Sequence, residues 1–179
     1  MKLKALAPAI TLIMAASGHA ASFSLSSPDI ADKRQLTRLQ AFNGFGCNGG
    51  NISPALSWTN APAGTKSFAI TVYDPDAPTG SGWWHWTLVN LPTTVNSVPA
   101  NVGVNLPAGA VQGRTDYGQP GFGGACPPKG DAPHRYQFTV WALKVDKLAI
   151  DNQSSGALVG YMLNANSLAK ATITAPYGR

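Results

Sequence analysis

The sequence contains no glutamate and few charged residues of any kind. Charged residues make up 12% of the 179 positions, well below the roughly 25% typical of soluble domains, and all eight acids are aspartates. The formal net charge is +5, but the basic residues are scattered, and Lys33 and Arg34 are the only adjacent pair. A nucleic-acid-binding surface requires clustered lysine and arginine. The distribution therefore argues against a nucleic-acid partner.

Long apolar runs are also scarce, and the main one lies at the N-terminus. Residues 5–16 are mostly apolar, follow the basic Lys2 and Lys4, and precede Gly18-His19-Ala20. This pattern predicts a secretory signal peptide over residues 1–20, cleaved after Ala20, with an uncleaved anchor as the alternative. The segment is too short for a comfortable membrane span. We therefore expect a periplasmic or secreted protein without stable membrane insertion, which retains 11 basic against 8 acidic residues.

Only two cysteines are present, Cys47 and Cys126. They allow one intramolecular pairing, and each lies in a glycine-rich loop that needs restraint. An exported chain meets an oxidising environment, which favours a Cys47–Cys126 disulfide. Two free thiols, or a bridge between two chains, are the alternatives. Residues 21–179 have the length of a single domain with its own core.

Glycine (19) and proline (14) are frequent, and most apolar runs are short, which indicates a mostly β fold. The clearest pattern is residues 67–91, a strand, a polar loop and a second strand that returns beside the first. Residues 135–143 are apolar on both faces and predict a central strand. Shorter strands are predicted at 22–25, 56–58, 110–113 and 172–177. A helix is predicted over 154–170, capped by Ser154 or Ser155, with a core-facing stripe of Leu158, Tyr161, Met162, Ala165, Leu168 and Ala169.

Polar residues collect at the predicted strand ends. Asp74-Pro75-Asp76-Ala77-Pro78 follows the first strand of residues 67–91, and the prolines stiffen the backbone that carries both carboxylates. His85, within a run of three tryptophans, begins the second strand, and His134 begins another. Asp-Pro pairs are also ordinary turn formers, and a lone histidine is commonly a packed residue. Together, however, these residues predict one rim that gathers two histidines and two carboxylates.

Three chemistries fit such a rim. Histidines and glycine-rich backbone can bind an anion, in which case affinity for a sulfate-type ligand should depend on both histidines and rise as the pH falls from about 8 to 6. Two histidines and a carboxylate can bind a transition metal, although the spacing is not that of a metal motif. Acid–base hydrolysis by Asp and His is the third, although the sequence has no G-x-S-x-G elbow.

The chain resembles the phosphatidylethanolamine-binding protein family, also called Raf-kinase-inhibitor-like proteins, and most of all its bacterial exported branch. The resemblance rests on the Asp74–Pro78 run, on His85 and Asn90 in WWHWTLVN, on the PPKG segment that begins at Pro127, and on the HRY segment that begins at His134. It spans residues 23–177. It implies a large antiparallel β-sheet packed on a smaller sheet, with a few peripheral helices, including one near the C-terminus.

The resemblance also implies a small pocket for phosphate or a phospholipid headgroup. By motif match, the ligand-binding residues are Asp74, Asp76, Pro78, His85, Cys126, Pro127, His134 and Tyr136. Cys126 stands where the family loop often has glycine, and Ala132-Pro133 replaces the start of the family's G-x-H-R. Some family members modulate kinases or proteases by binding them.

The sequence thus predicts an exported, regulatory, non-enzymatic protein that binds a small anionic ligand and needs no cofactor or metal. The alternatives are a secreted protein-interaction module, which resembles a kinase or protease inhibitor and has a protein partner, and an Asp/His hydrolase.

Overall fold

The computed structural model describes residues 21–103 and 105–179. The predicted signal peptide, residues 1–20, lies outside this part of the chain. Ten strands and one helix lie within it: β1 Ser24–Ser26, β2 Asn43–Gly44, β3 Cys47–Asn48, β4 Leu56–Thr59, β5 Ser67–Asp74, β6 Trp83–Pro92, β7 Ser97–Val98, β8 Val111–Gln112, β9 His134–Leu143, α1 Gly156–Asn166 and β10 Ser167–Tyr177.

The strands form a large sheet, a small sheet and a separate hairpin. The large sheet has the order β10-β9-β5-β6-β8, and all of its strand pairs are antiparallel. The small sheet has the order β1-β4-β7, and β2 pairs with β3 in the hairpin. The predicted class, a mostly β protein with a large antiparallel sheet, a smaller sheet and a helix near the C-terminus, is confirmed. Of the few peripheral helices predicted, α1 is the one present in residues 21–103 and 105–179.

The large sheet is buried on both faces. Toward the small sheet, Ile70, Val72 and Trp86 pack in one core with Leu56 and Trp58. On the opposite face, a second core lies beneath α1 and is built from Ala69, Val89, Trp141, Leu143, Leu148, Ile150, Val159 and Leu163. A sheet covered on both faces needs strands that are apolar on both sides, which explains why β5, β6 and β9 read as nearly continuous apolar runs.

The predicted helix is correct in type and in its N-terminal cap but wrong in length and orientation. The Ser155 hydroxyl accepts a hydrogen bond from the Leu158 amide, and the helix ends at Asn166 rather than at residue 170. From Ser167 the chain pairs with β9, and β10 therefore includes the predicted strand 172–177. Sheet pairing overrides the helical spacing of the last apolar residues.

The predicted core stripe of the helix faces solvent in part, since Leu158 and Tyr161 are exposed. The face that packs inward instead contains Gly156, Val159, Gly160 and Leu163. A Cβ atom added at Gly156 would overlap the Trp84 indole. The small residues therefore allow the helix to approach the sheet closely, a feature that a search for large apolar residues overlooks.

The predicted disulfide joins Cys47 to Cys126, whose Cα atoms lie 5.9 Å apart. It connects strand β3 of the hairpin to the glycine-rich segment that precedes Pro127. The bond closes a loop with a sequence separation of 79 residues. In the chain-entropy account, a closure of that length stabilises the fold by about 4.5 kcal/mol. The two loops that the bond joins form part of the cavity described next.

Candidate ligand-binding site

The end of one strand and the beginnings of its two neighbours meet at one end of the large sheet. Strand β5 ends at Asp74, and its antiparallel neighbours β6 and β9 begin at Trp83 and His134. Antiparallel neighbours necessarily bring the end of one strand beside the beginning of the next. Residues that are up to 60 positions apart in the sequence therefore share a single rim.

A cavity of about 190 Å³ opens at this rim. Its walls come from the three strand ends, the loop that follows Asp74, the hairpin and the segment after the disulfide. The lining residues are Phe45, Asp74, Ala77, Pro78, Thr79, Trp83, His85, Tyr117, Cys126, Pro127, Pro128, His134 and Tyr136.

A buried carboxylate–imidazole pair lies at the centre of the rim. Asp74 is 2% exposed, and its Oδ2 lies 2.7 Å from His134 Nδ1. The other carboxylate oxygen, Oδ1, accepts a hydrogen bond of 2.9 Å from the Asp76 amide. On its far side, His134 Nε2 lies 3.4 Å from the Asp131 carboxylate. Asp74 therefore fixes both the loop that follows it and the orientation of the His134 ring.

His85 lies on the other side of the cavity in a different environment. It is 2% exposed, and its Nδ1 lies 2.9 and 3.1 Å from the carbonyl oxygens of Gly123 and Gly124. Carbonyls only accept, so Nδ1 carries the proton and Nε2 is left as an acceptor. Burial lowers the pKa of His85 to about 4, although the two carbonyls and the Asp74 charge oppose the shift. His85 is therefore a neutral imidazole at physiological pH.

Two hydrogen-bond donors of the lining are buried without a partner in the described part of the chain. They are the Trp83 indole N–H and the Tyr136 hydroxyl. Burial raises the pKa of Tyr136, and the nearby Asp74 carboxylate raises it further, so the phenol keeps its proton. A buried donor without a partner costs about 1 to 3 kcal/mol. The lining thus contains two donors that the described residues leave unsatisfied.

Tyr117 lies at the centre of an aromatic cluster that lines the cavity. Its ring stacks on Phe42 at a centroid distance of 3.9 Å and meets the rings of Trp83 and His85 edge-on, and its hydroxyl donates to the Gly124 carbonyl. A Cβ atom at Gly123 would overlap the Tyr117 ring. The glycine-rich segment is therefore required for this close approach.

Asp76 pairs with Arg135 beside the cavity. Its carboxylate accepts hydrogen bonds from the Arg135 amide at 2.8 Å and from the Arg135 guanidinium at 2.6 and 2.9 Å. The guanidinium lowers the pKa of Asp76. The residue is absent from the lining of this cavity but lines a second, more open cavity that also includes His134. Asp76 holds the DPDAP loop against β9, and its contact with a ligand remains a prediction.

The other predicted site residues all line the cavity: Asp74, Pro78, His85, Cys126, Pro127, His134 and Tyr136. Their contacts with a ligand remain predictions. Sequence reasoning missed Phe45, Trp83, Tyr117 and Pro128 as lining residues. The tryptophan run pointed toward Trp83, and the PPKG segment contained Pro128. Tyr117 had no local signal, because the rings that it packs against, Phe42, Trp83 and His85, come from distant segments.

Within residues 21–103 and 105–179, no group of three or more His, Cys, Asp or Glu side chains is arranged to hold a metal ion. In the same part of the chain, no helix is long and apolar enough to cross a membrane.

Comparison with known protein sequences points to one family. The family model for phosphatidylethanolamine-binding protein matches residues 26–178. The chain is 62% identical to UPF0098 protein YbcL of Escherichia coli K12, over 90% of each sequence, and 51% identical to UPF0098 protein YbhB, over 86% of this chain and 98% of YbhB.

Solved structures show the same relationship. The crystal structure of E. coli YbcL, described as a new member of the mammalian PEBP family, superposes with a TM-score of 0.87 over 89% of this chain and 99% of that one, at 62% identity. A phosphatidylethanolamine-binding protein from Plasmodium vivax superposes with a TM-score of 0.59, at 12% identity, over 93% of this chain and 91% of that one. At that identity, the likeness shows a shared fold only.

His85 provides a first test of the site. Its imidazole should titrate near pH 4, far below the ordinary value of about 6.5, and nitrogen-detected NMR should show the proton on Nδ1. Between about pH 4 and pH 6.5, the imidazole of His85 is protonated in the unfolded chain but neutral in the folded chain. The His85 contribution to stability is therefore complete above about pH 6.5 and is lost as the pH falls toward 4, by on the order of 3 kcal/mol.

Comparison with the variant His85→Gln identifies the NMR signals of His85. The stability of this variant should not fall between pH 6.5 and 4 by the amount due to His85, because the glutamine amide does not titrate. A His85 midpoint near 6.5, or equal loss of stability with pH in both proteins, would contradict the neutral-acceptor assignment.

Proposed function

The chain belongs to the phosphatidylethanolamine-binding protein family, and from that premise we propose that it is an exported, non-enzymatic protein whose cavity binds a small phosphorylated compound. Its role is regulatory, and binding of the ligand in the cavity controls that role. The observation that carries the proposal is the pair of buried donors, Trp83 N–H and Tyr136 O–H, that have no partner among the described residues and belong to the same lining.

A phosphate ester matches the hydrogen-bonding groups of the cavity. Its oxygens accept from Trp83 and Tyr136, and hydrogen bonds to a charged acceptor are stronger than neutral ones. Neutral His85 offers an acceptor at Nε2 for a hydroxyl, an amine or a protonated phosphate oxygen. Because His85 stays neutral, it adds no positive charge to the cavity.

The buried Asp74 carboxylate would repel an anion if it were unpaired. Both of its oxygens are engaged, however, one by the Asp76 amide and the other by His134. Asp74 therefore acts on the ligand indirectly, by orienting His134.

The thiol and hydroxyl groups of the lining are poorly placed to act as nucleophiles. Cys126 is in the disulfide, and the Thr79 hydroxyl donates to the Gly82 carbonyl. Both tyrosines of the lining keep their protons, since burial raises the pKa of each. Covalent catalysis needs a nucleophile activated by a positioned base. These engagements support binding without turnover.

Export is supported by two features. Residues 1–20 have the pattern of a signal peptide, and the Cys47–Cys126 disulfide suits an oxidising compartment. We assign the protein to the periplasm or the extracellular space, separate from the kinases of its own cytosol.

Methyl phosphate tests the proposed function. Isothermal titration at pH 8, where the ester is a dianion, should show one site per chain that Tyr136→Phe weakens by about tenfold or more. The same substitution removes an unpartnered buried hydroxyl, so it should raise the free energy of unfolding by about 1 kcal/mol. NMR should recover the ester intact after incubation with the protein.

Tyr161→Phe is the matched control, since Tyr161 is exposed on α1 away from the cavity. Its affinity and stability should equal those of the parent protein. Equal methyl phosphate affinity in Tyr136→Phe and the parent, or release of methanol, would refute the proposal.

The mass of the exported protein tests the assigned compartment. Intact-mass spectrometry of unreduced protein from the periplasm or medium should give a chain that begins at Ala21 and is lighter by two hydrogens than its reduced form. A full-length chain with two alkylatable thiols, recovered from the cytosol, would exclude export and the disulfide together.

A further inference from the structure

Phe45 occupies a backbone position that is unfavourable for its side chain. It lies with Gly46 in the two-residue turn of the β2-β3 hairpin, and both residues have positive φ, 54° and 76°. Turns with two positive φ angles favour asparagine, aspartate or glycine, because a larger side chain is strained in the left-handed region. A phenylalanine here needs an explanation other than turn formation.

Packing within the fold does not supply that explanation. The Phe45 side chain is 70% exposed, so it gains little from burial. It touches the aromatic cluster only at its edge, with centroid distances of 5.4 Å to Tyr117 and 6.0 Å to Phe42. It nevertheless belongs to the cavity lining. A strained and exposed aromatic residue at the mouth of a cavity indicates a functional role.

The hairpin holds Phe45 in a fixed position relative to the rest of the cavity mouth. The Cys47–Cys126 disulfide ties the hairpin to the residue before Pro127. The Arg179 guanidinium donates to the carbonyl oxygens of Gly46 and Pro127, at 2.7 and 2.6 Å. Phe45 therefore shares the cavity lining with proline and aromatic rings: Pro78, Tyr117, Pro127 and Pro128.

We propose that Phe45 is a specificity-determining residue that contacts an apolar substituent of the bound phosphate ester. The inference rests on the function proposed above and adds the class of compound, an ester with an aryl or comparable apolar group rather than inorganic phosphate. A cavity of about 190 Å³ has room for several water-sized groups, more than one oxyanion fills. Phe45 has no polar side-chain atom, so it can select only through apolar and ring contacts.

A comparison of phenyl phosphate with methyl phosphate distinguishes the binding of the phosphate group from the binding of the apolar substituent. Both are dianions at pH 8, and they differ in the substituent alone. Titration of the parent protein should show that phenyl phosphate binds about fivefold more tightly or better, as expected for one additional ring contact. In Phe45→Asn the preference for phenyl phosphate over methyl phosphate should fall below about twofold.

Asparagine suits the turn, so Phe45→Asn should also have a higher unfolding midpoint than the parent, which shows that the lost selectivity is not a folding defect. The matched control is Tyr161→Ala, because Tyr161 is also an aromatic residue that is 70% exposed but lies on the helix away from the cavity. It should keep the full phenyl preference.

The outcomes distinguish this inference from the function on which it rests. If methyl phosphate binds and Phe45→Asn keeps the phenyl preference, Phe45 does not select the ligand and the inference is wrong. If neither ester binds the parent protein, the proposed function is wrong and this inference falls with it. Loss of the phenyl preference in Phe45→Asn, with the preference kept in Tyr161→Ala, supports the inference.

Discussion

The buried Asp74–His134 pair is the interaction on which the geometry of the site depends. The carboxylate receives one hydrogen bond from its own loop and one from the first residue of a neighbouring strand, so it locks the ends of β5 and β9 together. Trp83 lies opposite Asp74 in the register with β6, which adds the third wall. Removing either member would leave a polar or charged group buried without its partner, a loss of about 3 to 5 kcal/mol when a buried pair is broken.

Around this satisfied pair, the protein leaves other groups unsatisfied. The Trp83 indole and the Tyr136 hydroxyl have no partner among the described residues, and Phe45 lies in a left-handed turn while mostly exposed. Each of these features costs stability, and all three occur at one cavity. Proteins commonly depart from local rules at functional sites. A ligand with acceptor oxygens and an apolar group would compensate all three, which unites the proposed function with the role inferred for Phe45.

Much of the fold could be predicted from the sequence, because the main strands and the disulfide have local sequence patterns. The apolar runs of β5, β6 and β9 and the paired cysteines carried their own signals, and the DPDAP and HRY segments marked the rim. The error in the length of the helix came from long-range contacts, because the apolar spacing of α1 continues into residues that pair with β9. The pairing of Asp76 with Arg135, 59 positions away, also had no signal in the sequence. Tyr117 and Phe45 line the cavity only because distant segments fold against them.

The most direct test of the account is the NMR signal of the Trp83 indole proton, assigned with Trp83→Phe, during titration with methyl phosphate. If the cavity binds the oxyanion through this donor, the Trp83 resonance moves downfield on saturation. The Trp58 indole, which is also buried without a partner but belongs to the core between the sheets, keeps its position. A Trp83 signal that stays fixed while the ester is bound elsewhere, or equal shifts of both indoles, would contradict the central claim.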